Sequence, residues 1–108
     1  MNDYELRYLP LFYDDLEAAT DYIAEELKNP QAAKSLVDLA EKAILDRLPF
    51  AEAFRPFPSV NKREAPYYLI HVKNYVIAYV VLDHKIMEVR RFLYNHRNKA
   101  VLLHIDEP

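Results

Sequence analysis

Large apolar residues alternate with charged ones over residues 4–9 (YELRYL), and the run stops at Pro10. Alternation at period two predicts a short first strand. Beyond it, Phe12, Leu16, Ala19, Ile23 and Leu27 recur at spacings of four and three, which is one apolar stripe on a helix. Asp14, Asp15 and Glu17 then fall where the positive end of a helix dipole favours acids. The pair Asn29-Pro30 resets the chain, because asparagine caps a helix well and proline suits its first position. A second stripe follows at Ala33, Val37, Ala40, Ile44 and Leu48 and ends before Pro49. With almost no loop between them, the two helices are expected to form an antiparallel hairpin over residues 14–47. Four prolines among residues 49–66 mark an irregular connection. The segments YYLIHVK, YVIAYVVLD and IMEVRRFLY are rich in β-branched and aromatic residues and predict an antiparallel meander. The expected fold is therefore α+β: an N-terminal strand, a helical hairpin, a three-stranded meander packed on that hairpin, and a short C-terminal helix or tail.

Strand parity assigns faces. Tyr75, Ile77 and Tyr79 share one side of the middle strand, and Val76, Ala78 and Val80 share the other. In the last strand Met87, Val89 and Leu93 alternate against Glu88, Arg90, Phe92 and Tyr94. If the first sets meet the hairpin, then His71, Val76, Ala78, Glu88, Arg90 and Tyr94 face outward together. That outward face is apolar enough to expect a partner on it. Arg91 falls toward the core, where an unpaired charge is prohibitive, so it is expected to pair with an acid of the first helix, Asp15.

Composition narrows the chemistry. The chain has 108 residues, 52% hydrophobic, which predicts a single folded domain over residues 1–108. No run approaches the roughly 20 apolar residues that span a bilayer, and the N-terminus lacks signal-peptide character, so a soluble cytoplasmic protein is expected. Zero cysteines exclude disulfides, thiolate zinc sites and cysteine nucleophiles, and zero glycines exclude the P-loop and dinucleotide cradles. His71, His84, His96 and His104 contain no His-x-x-x-His pair, so neither a metal nor a cofactor is expected. Charge is uneven: residues 1–54 carry five Lys/Arg against twelve Asp/Glu, whereas residues 55–108 carry nine against five. Such asymmetry steers charged partners.

The order of elements, with the stretch YELRYLPLFYDDLEAATDYIAEELKNPQAAKSL, the strand NYVIAYVV and the ending VRRFLYNHRN, resembles the RelE/ParE superfamily of toxins from type II toxin–antitoxin modules. The resemblance covers nearly the whole chain and implies a growth inhibitor neutralised by a cognate antitoxin. RelE-like members cleave messenger RNA on the ribosome, and aligning their functional positions with this chain gives Leu69, His71, Val76, Asn95 and Val101. Of these His71 alone can serve acid–base chemistry. The chain's acidity also departs from a ribosome binder, which makes direct RNA binding less expected. ParE-like members inhibit DNA gyrase as protein-binding poisons, and RRFLYNHRN fits that branch better, though Tyr94 stands where histidine is common and Asn98 where aspartate is.

Three readings follow from these residues. In the leading one the chain binds a protein target such as gyrase, and its antitoxin docks across Val76, Ala78 and Val80, flanked by Glu88, Arg90 and Arg97. In the second, His71, Arg90, Tyr94, His96 and Arg97 assemble a rearranged endoribonuclease site on the outward face. In the third, the chain binds an antitoxin but is not toxic.

Overall fold

A computed structural model describes residues 3–58 and 65–96. Strand β1 (Glu5–Tyr8) leads into helix α1 (Pro10–Asp21), a π-helical turn (Tyr22–Glu26) and helix α2 (Pro30–Arg47). A 3-10 turn (Leu48–Phe50) precedes strands β2 (Tyr68–Val72), β3 (Tyr75–Leu82) and β4 (Ile86–Tyr94). The four strands form one sheet in the order β1-β4-β3-β2, with β1 parallel to β4 and the meander antiparallel. The fold is α+β, as the periodicity predicts, while the C-terminal helix or tail lies outside the described residues.

Helix α2 opens as its sequence dictates. Asn29 Oδ1 accepts from the Ala32 N–H at 3.1 Å and Pro30 takes the first helical position. Helix α1 begins earlier than expected, at Pro10, so its first turn holds no acid and Asp14 and Asp15 stand beyond the reach of the dipole end. Its last turn is π-helical, with the Leu27 N–H bonded to the Tyr22 carbonyl at 3.2 Å. The wider turn carries Leu27 off the expected stripe and leaves it 57% exposed.

The main core lies between the hairpin and the sheet, where Phe12, Leu36, Ala40 and Ile44 meet Ile70, Ile77, Tyr79, Met87 and Val89. One part of the expected register is corrected. The pairing of β3 with β4 slips between Ala78, opposite Arg91, and Tyr79, opposite Val89, so Arg90 is the extra residue of a bulge. A bulge reverses parity beyond itself. Phe92, not Leu93, therefore joins the hairpin-facing core, stacked on Tyr75 at 4.8 Å, and Tyr94 follows it to that side. Leu93 turns to the opposite face with Val76, Ala78 and Val80.

That opposite face is not an open strip. Val76, Ala78 and Val80 are fully buried, packed with Tyr67 and Leu93 and flanked by Phe57, Ala65, Leu69 and Leu82. The proline-rich connection folds back over the sheet, tied by the Phe57 N–H to the Tyr67 carbonyl at 2.7 Å. Its other end is held by Tyr79, whose hydroxyl donates to the Ala51 carbonyl at 2.7 Å and accepts from Arg47 at 3.0 Å. Burial pushes the Tyr79 hydroxyl above its ordinary pKa against the opposing pull of Arg47.

A third tie joins the connection to both the chain start and the β3–β4 turn. Glu52 accepts from the Tyr4 hydroxyl at 2.8 Å and lies 2.6 Å from His84 Nδ1. Burial pushes the Glu52 carboxyl upward, but the bonds from Tyr4 and His84 and the charge of His84 together outweigh it and leave the pKa below the ordinary 4.5. A depressed carboxylate stabilises the fold above the unfolded value and loses that contribution as pH falls through the folded one. Stability measured by denaturant titration between pH 7 and pH 3 should therefore fall less steeply in Glu52→Gln than in the parent.

Without glycine, the left-handed positions among the described residues fall to Lys28, Lys73, Asp83 and His84, at φ of 52°, 54°, 53° and 56°. A side chain there is strained against its own carbonyl. Lys28→Gly, at an exposed helix end, is expected to raise the unfolding free energy by roughly 0.5–1 kcal/mol, read as a higher denaturant midpoint at constant slope.

Candidate functional site

Adjacent arginines of β4 part ways at the bulge. Arg91 Nε donates to Asp15 Oδ2 at 2.6 Å and its Nη2 to Asp15 Oδ1 at 3.0 Å, while the Phe92 N–H also donates to Oδ2 at 3.0 Å. The expected pairing with Asp15 is present, and both side chains are largely buried, at 12% and 15% exposure. Arg90 instead lies among the residues of the second core, donating to Glu88 Oε1 at 2.9 Å and reaching the Tyr67 hydroxyl at 3.4 Å. Glu88 also meets Arg7 at 3.6 Å, and of the charged residues described it is the most deeply buried. Burial disfavours the Arg90 guanidinium, yet the bonds to Tyr67 and Glu88 more than compensate and raise its pKa. Glu88 and Arg90 are thus partners of each other, not a pair of charges presented to a ligand.

Among the described residues, those nominated for catalysis do not converge on one face. His71 is exposed and pairs across the strand with Val76, on the face of the second core. Tyr94 lies on the hairpin side, edge-on to Tyr75, with its ring 5.1 Å from that of His96. The bulge separates them, which corrects the expectation that His71, Arg90 and Tyr94 share one face. Arg97 lies outside the described residues. Among the described residues no three His, Asp or Glu side chains gather to hold a metal ion.

The open site is one that strand parity hides. A groove of about 940 Å³ runs between the end of the hairpin and the far end of the sheet. Ala18, Ala19 and Ile23 line it from the first helix and its π-turn, Leu36 and Leu39 from α2, and Tyr75, Phe92 and Tyr94 from the sheet. Tyr22, Leu27, Leu39 and Tyr94 stand exposed around it at 54%, 57%, 38% and 43%. Large apolar side chains clustered on a concave surface mark a place where another apolar segment lies. The one sequence signal was Leu27, expected in the core stripe and released from it by the π-turn.

The family model for the ParE toxin of type II toxin–antitoxin system, parDE, matches residues 6–99. The chain belongs to the ParE toxin family. Among solved structures, one titled as the chromosomal ParDE TA system from P. aeruginosa is similar at a TM-score of 0.68 with 16% identity, covering 84% of this chain and 95% of that one. At that identity the likeness concerns the fold. No curated protein matches the chain. Among the described residues no helix of this ParE-family chain is long and apolar enough to cross a membrane.

Removing one partner of a buried, hydrogen-bonded pair strands the other. Arg91→Ala should lower the unfolding free energy by about 3 kcal/mol or more. Asp15→Ala, which also orphans the Phe92 N–H, should cost at least as much, and an unchanged melting curve for either would show that the clasp is not structural.

Proposed function

We propose that the chain is the toxin of a type II pair, that it arrests growth by binding a protein target such as DNA gyrase, and that a cognate antitoxin neutralises it in the cytoplasm. The observation that carries this reading is the ParE family match over residues 6–99. The arrangement of side chains supports binding over RNA cleavage. Transfer of a 2′-hydroxyl proton with stabilisation of a phosphate needs an acid–base group and cations within about 3 Å of one reacting centre. Here His71 and Tyr94 lie on opposite faces of the sheet and Arg90 is held by Glu88 and Tyr67. Leu69 and Val76, where RelE-like chemistry would need cations, are apolar and at least half-buried.

The antitoxin engages the groove between hairpin and sheet, not the strip of Val76, Ala78 and Val80. An apolar segment of that partner would bury Tyr22, Leu39 and Tyr94, which stand exposed in the free chain. Leu39→Glu should weaken antitoxin binding at least tenfold in calorimetry while leaving the melting curve unchanged. Ala78→Glu, at a position with no exposure, should instead fail to fold.

The target is tested by inducing the chain alone in cells. Loss of plasmid supercoiling before any loss of messenger integrity supports a topoisomerase poison. Early messenger cleavage would establish the endoribonuclease reading, and undisturbed growth the non-toxic one.

A further inference from the structure

The sheet has two edges, β1 and β2, and the chain treats them differently. At β2 outward carbonyls are taken up from within: the Phe57 N–H donates to the Tyr67 carbonyl at 2.7 Å and Arg47 Nη1 to the Leu69 carbonyl at 3.4 Å. Strand β1 has no such cover among the described residues. Its inner side is fixed by the N–H groups of Glu5 and Leu9, which donate to the Lys85 and Val89 carbonyls at 2.8 and 2.9 Å. Backbone groups alternate in direction along a strand, so Leu6 and Tyr8 turn theirs outward, and no described residue bonds to them. An unpaired edge of this kind is a template for another strand.

The sequence of this edge is its own complement. Tyr4, Glu5, Leu6, Arg7 and Tyr8 repeat in kind outward from Leu6, with an acid on one side answered by a base on the other. Laid antiparallel to a second copy on a two-fold axis at Leu6, the strand sets Glu5 against Arg7 twice and Tyr4 against Tyr8 twice. Bonding parity agrees with that axis. Leu6, whose N–H and C=O point outward, exchanges both bonds with Leu6 of the second copy. Glu5 and Arg7 then fall at the closer, non-hydrogen-bonded positions, where opposed Cα atoms stand about 4.5 Å apart. Along a single strand they are about 7 Å apart, and their contact at 3.4 Å is made with both side chains exposed. Charge shields many edges by repelling a neighbour. Here it selects a register, because a shift of two residues either way, which keeps the faces, sets Glu5 against Glu5 or Arg7 against Arg7.

We infer that two copies of this chain pair through β1, antiparallel about Leu6, so that their four-stranded sheets become one, with Glu5 and Arg7 ion-paired across the joint. Arg7 keeps its contact with Glu88 at 3.6 Å, which holds the guanidinium at the joint. So short a joint buries less surface than a permanent dimer needs, and the pairing follows concentration. Strand β1 meets β4 at Ile86–Val89, whereas Phe92 and Tyr94 line the groove at the other end, so the groove stays open in both copies. The contact requires neither antitoxin nor target, and it stands or falls apart from the toxin reading.

Sedimentation of the full-length parent from micromolar to millimolar concentration should show a monomer–dimer equilibrium. Glu5→Arg and Arg7→Glu each set like charges opposite one another twice, and each should weaken association at least tenfold with an unchanged far-ultraviolet circular dichroism spectrum. An equimolar mixture of the two variants should associate at least as well as the parent, since every cross-strand charge pair in the mixed dimer is then opposite in sign. A parent that stays monomeric, single variants that pair as well as the parent, or a mixture that stays monomeric would each overturn the proposal. Amide exchange of the parent gives a reading that needs no variant. The Leu6 amide should exchange severalfold more slowly at millimolar than at micromolar protein, while the inward Arg7 amide stays unchanged. A Leu6 rate independent of concentration would also overturn the proposal.

Discussion

The carboxylate of Asp15 joins the two halves of this molecule. It accepts two guanidinium bonds from Arg91 and one backbone bond from Phe92, so a single side chain of α1 takes up both a buried cation and an N–H next to the bulge in β4. Strand β4 lies between β1 and β3, so its shape propagates to both neighbours. A bulge leaves a residue outside the regular ladder, and it persists only where something else satisfies the displaced backbone. Asp15 does so from the helical layer. Ion pairs this buried contribute little net stability against an apolar substitute, but they discriminate strongly among alternative registers. Slipping β4 by one residue would strand Arg91 and Asp15 at once. The clasp thus fixes the orientation of α1 over the sheet together with the faces that Phe92, Leu93 and Tyr94 adopt.

Everything chemically interesting follows from that fixed parity. At the bulge, Arg90 closes on Glu88 and on Tyr67 beside the returning connection. Past it, Phe92 and Tyr94 point toward the hairpin and become part of the groove. A strand of regular alternation would have put Tyr94 beside Arg90 and left Leu93 to fill the hairpin side. The sheet would then have carried a polar constellation on one face. With the bulge, polar groups that could have cooperated in catalysis are divided between two faces, and aromatic surface accumulates where two helices and the sheet diverge.

How legible this was in the sequence depends on which physical signal governs each part. Periodicity located the helices and strands well, because burial on one face enforces it, and Asn29-Pro30 marked the start of α2 through local capping alone. The clasp was legible for a related reason: a charge at a core position demands a partner, and Asp15 was the acid within reach. Three features were not. A bulge has no composition of its own here, since Arg90 and Arg91 are identical residues and nothing in their order says which one is extra. The π-turn adds one residue to a helix without breaking the apolar repeat that Leu27 continues. The covering of Val76, Ala78 and Val80 depends on where a proline-rich connection folds back, and that is decided by Phe57, Tyr67 and Tyr79 at long range, beyond any local pattern.

The absence of glycine bears on how the groove is built. Among the described residues four with side chains occupy left-handed backbone, and two of them, Lys28 and Lys73, stand at the groove rim. Each is held there by neighbouring bonds, the Asn29 N–H to the Ile23 carbonyl for the first and the β2–β3 pairing for the second. Glycine at either place would relieve strain but remove a cation and widen the range of backbone directions at a recognition surface. Strain of this kind persists where the surrounding structure over-determines it. On the reading proposed above, local stability is exchanged for two positive charges in defined positions beside an apolar trough. That combination suits a partner segment that is apolar along its length and acidic at its end.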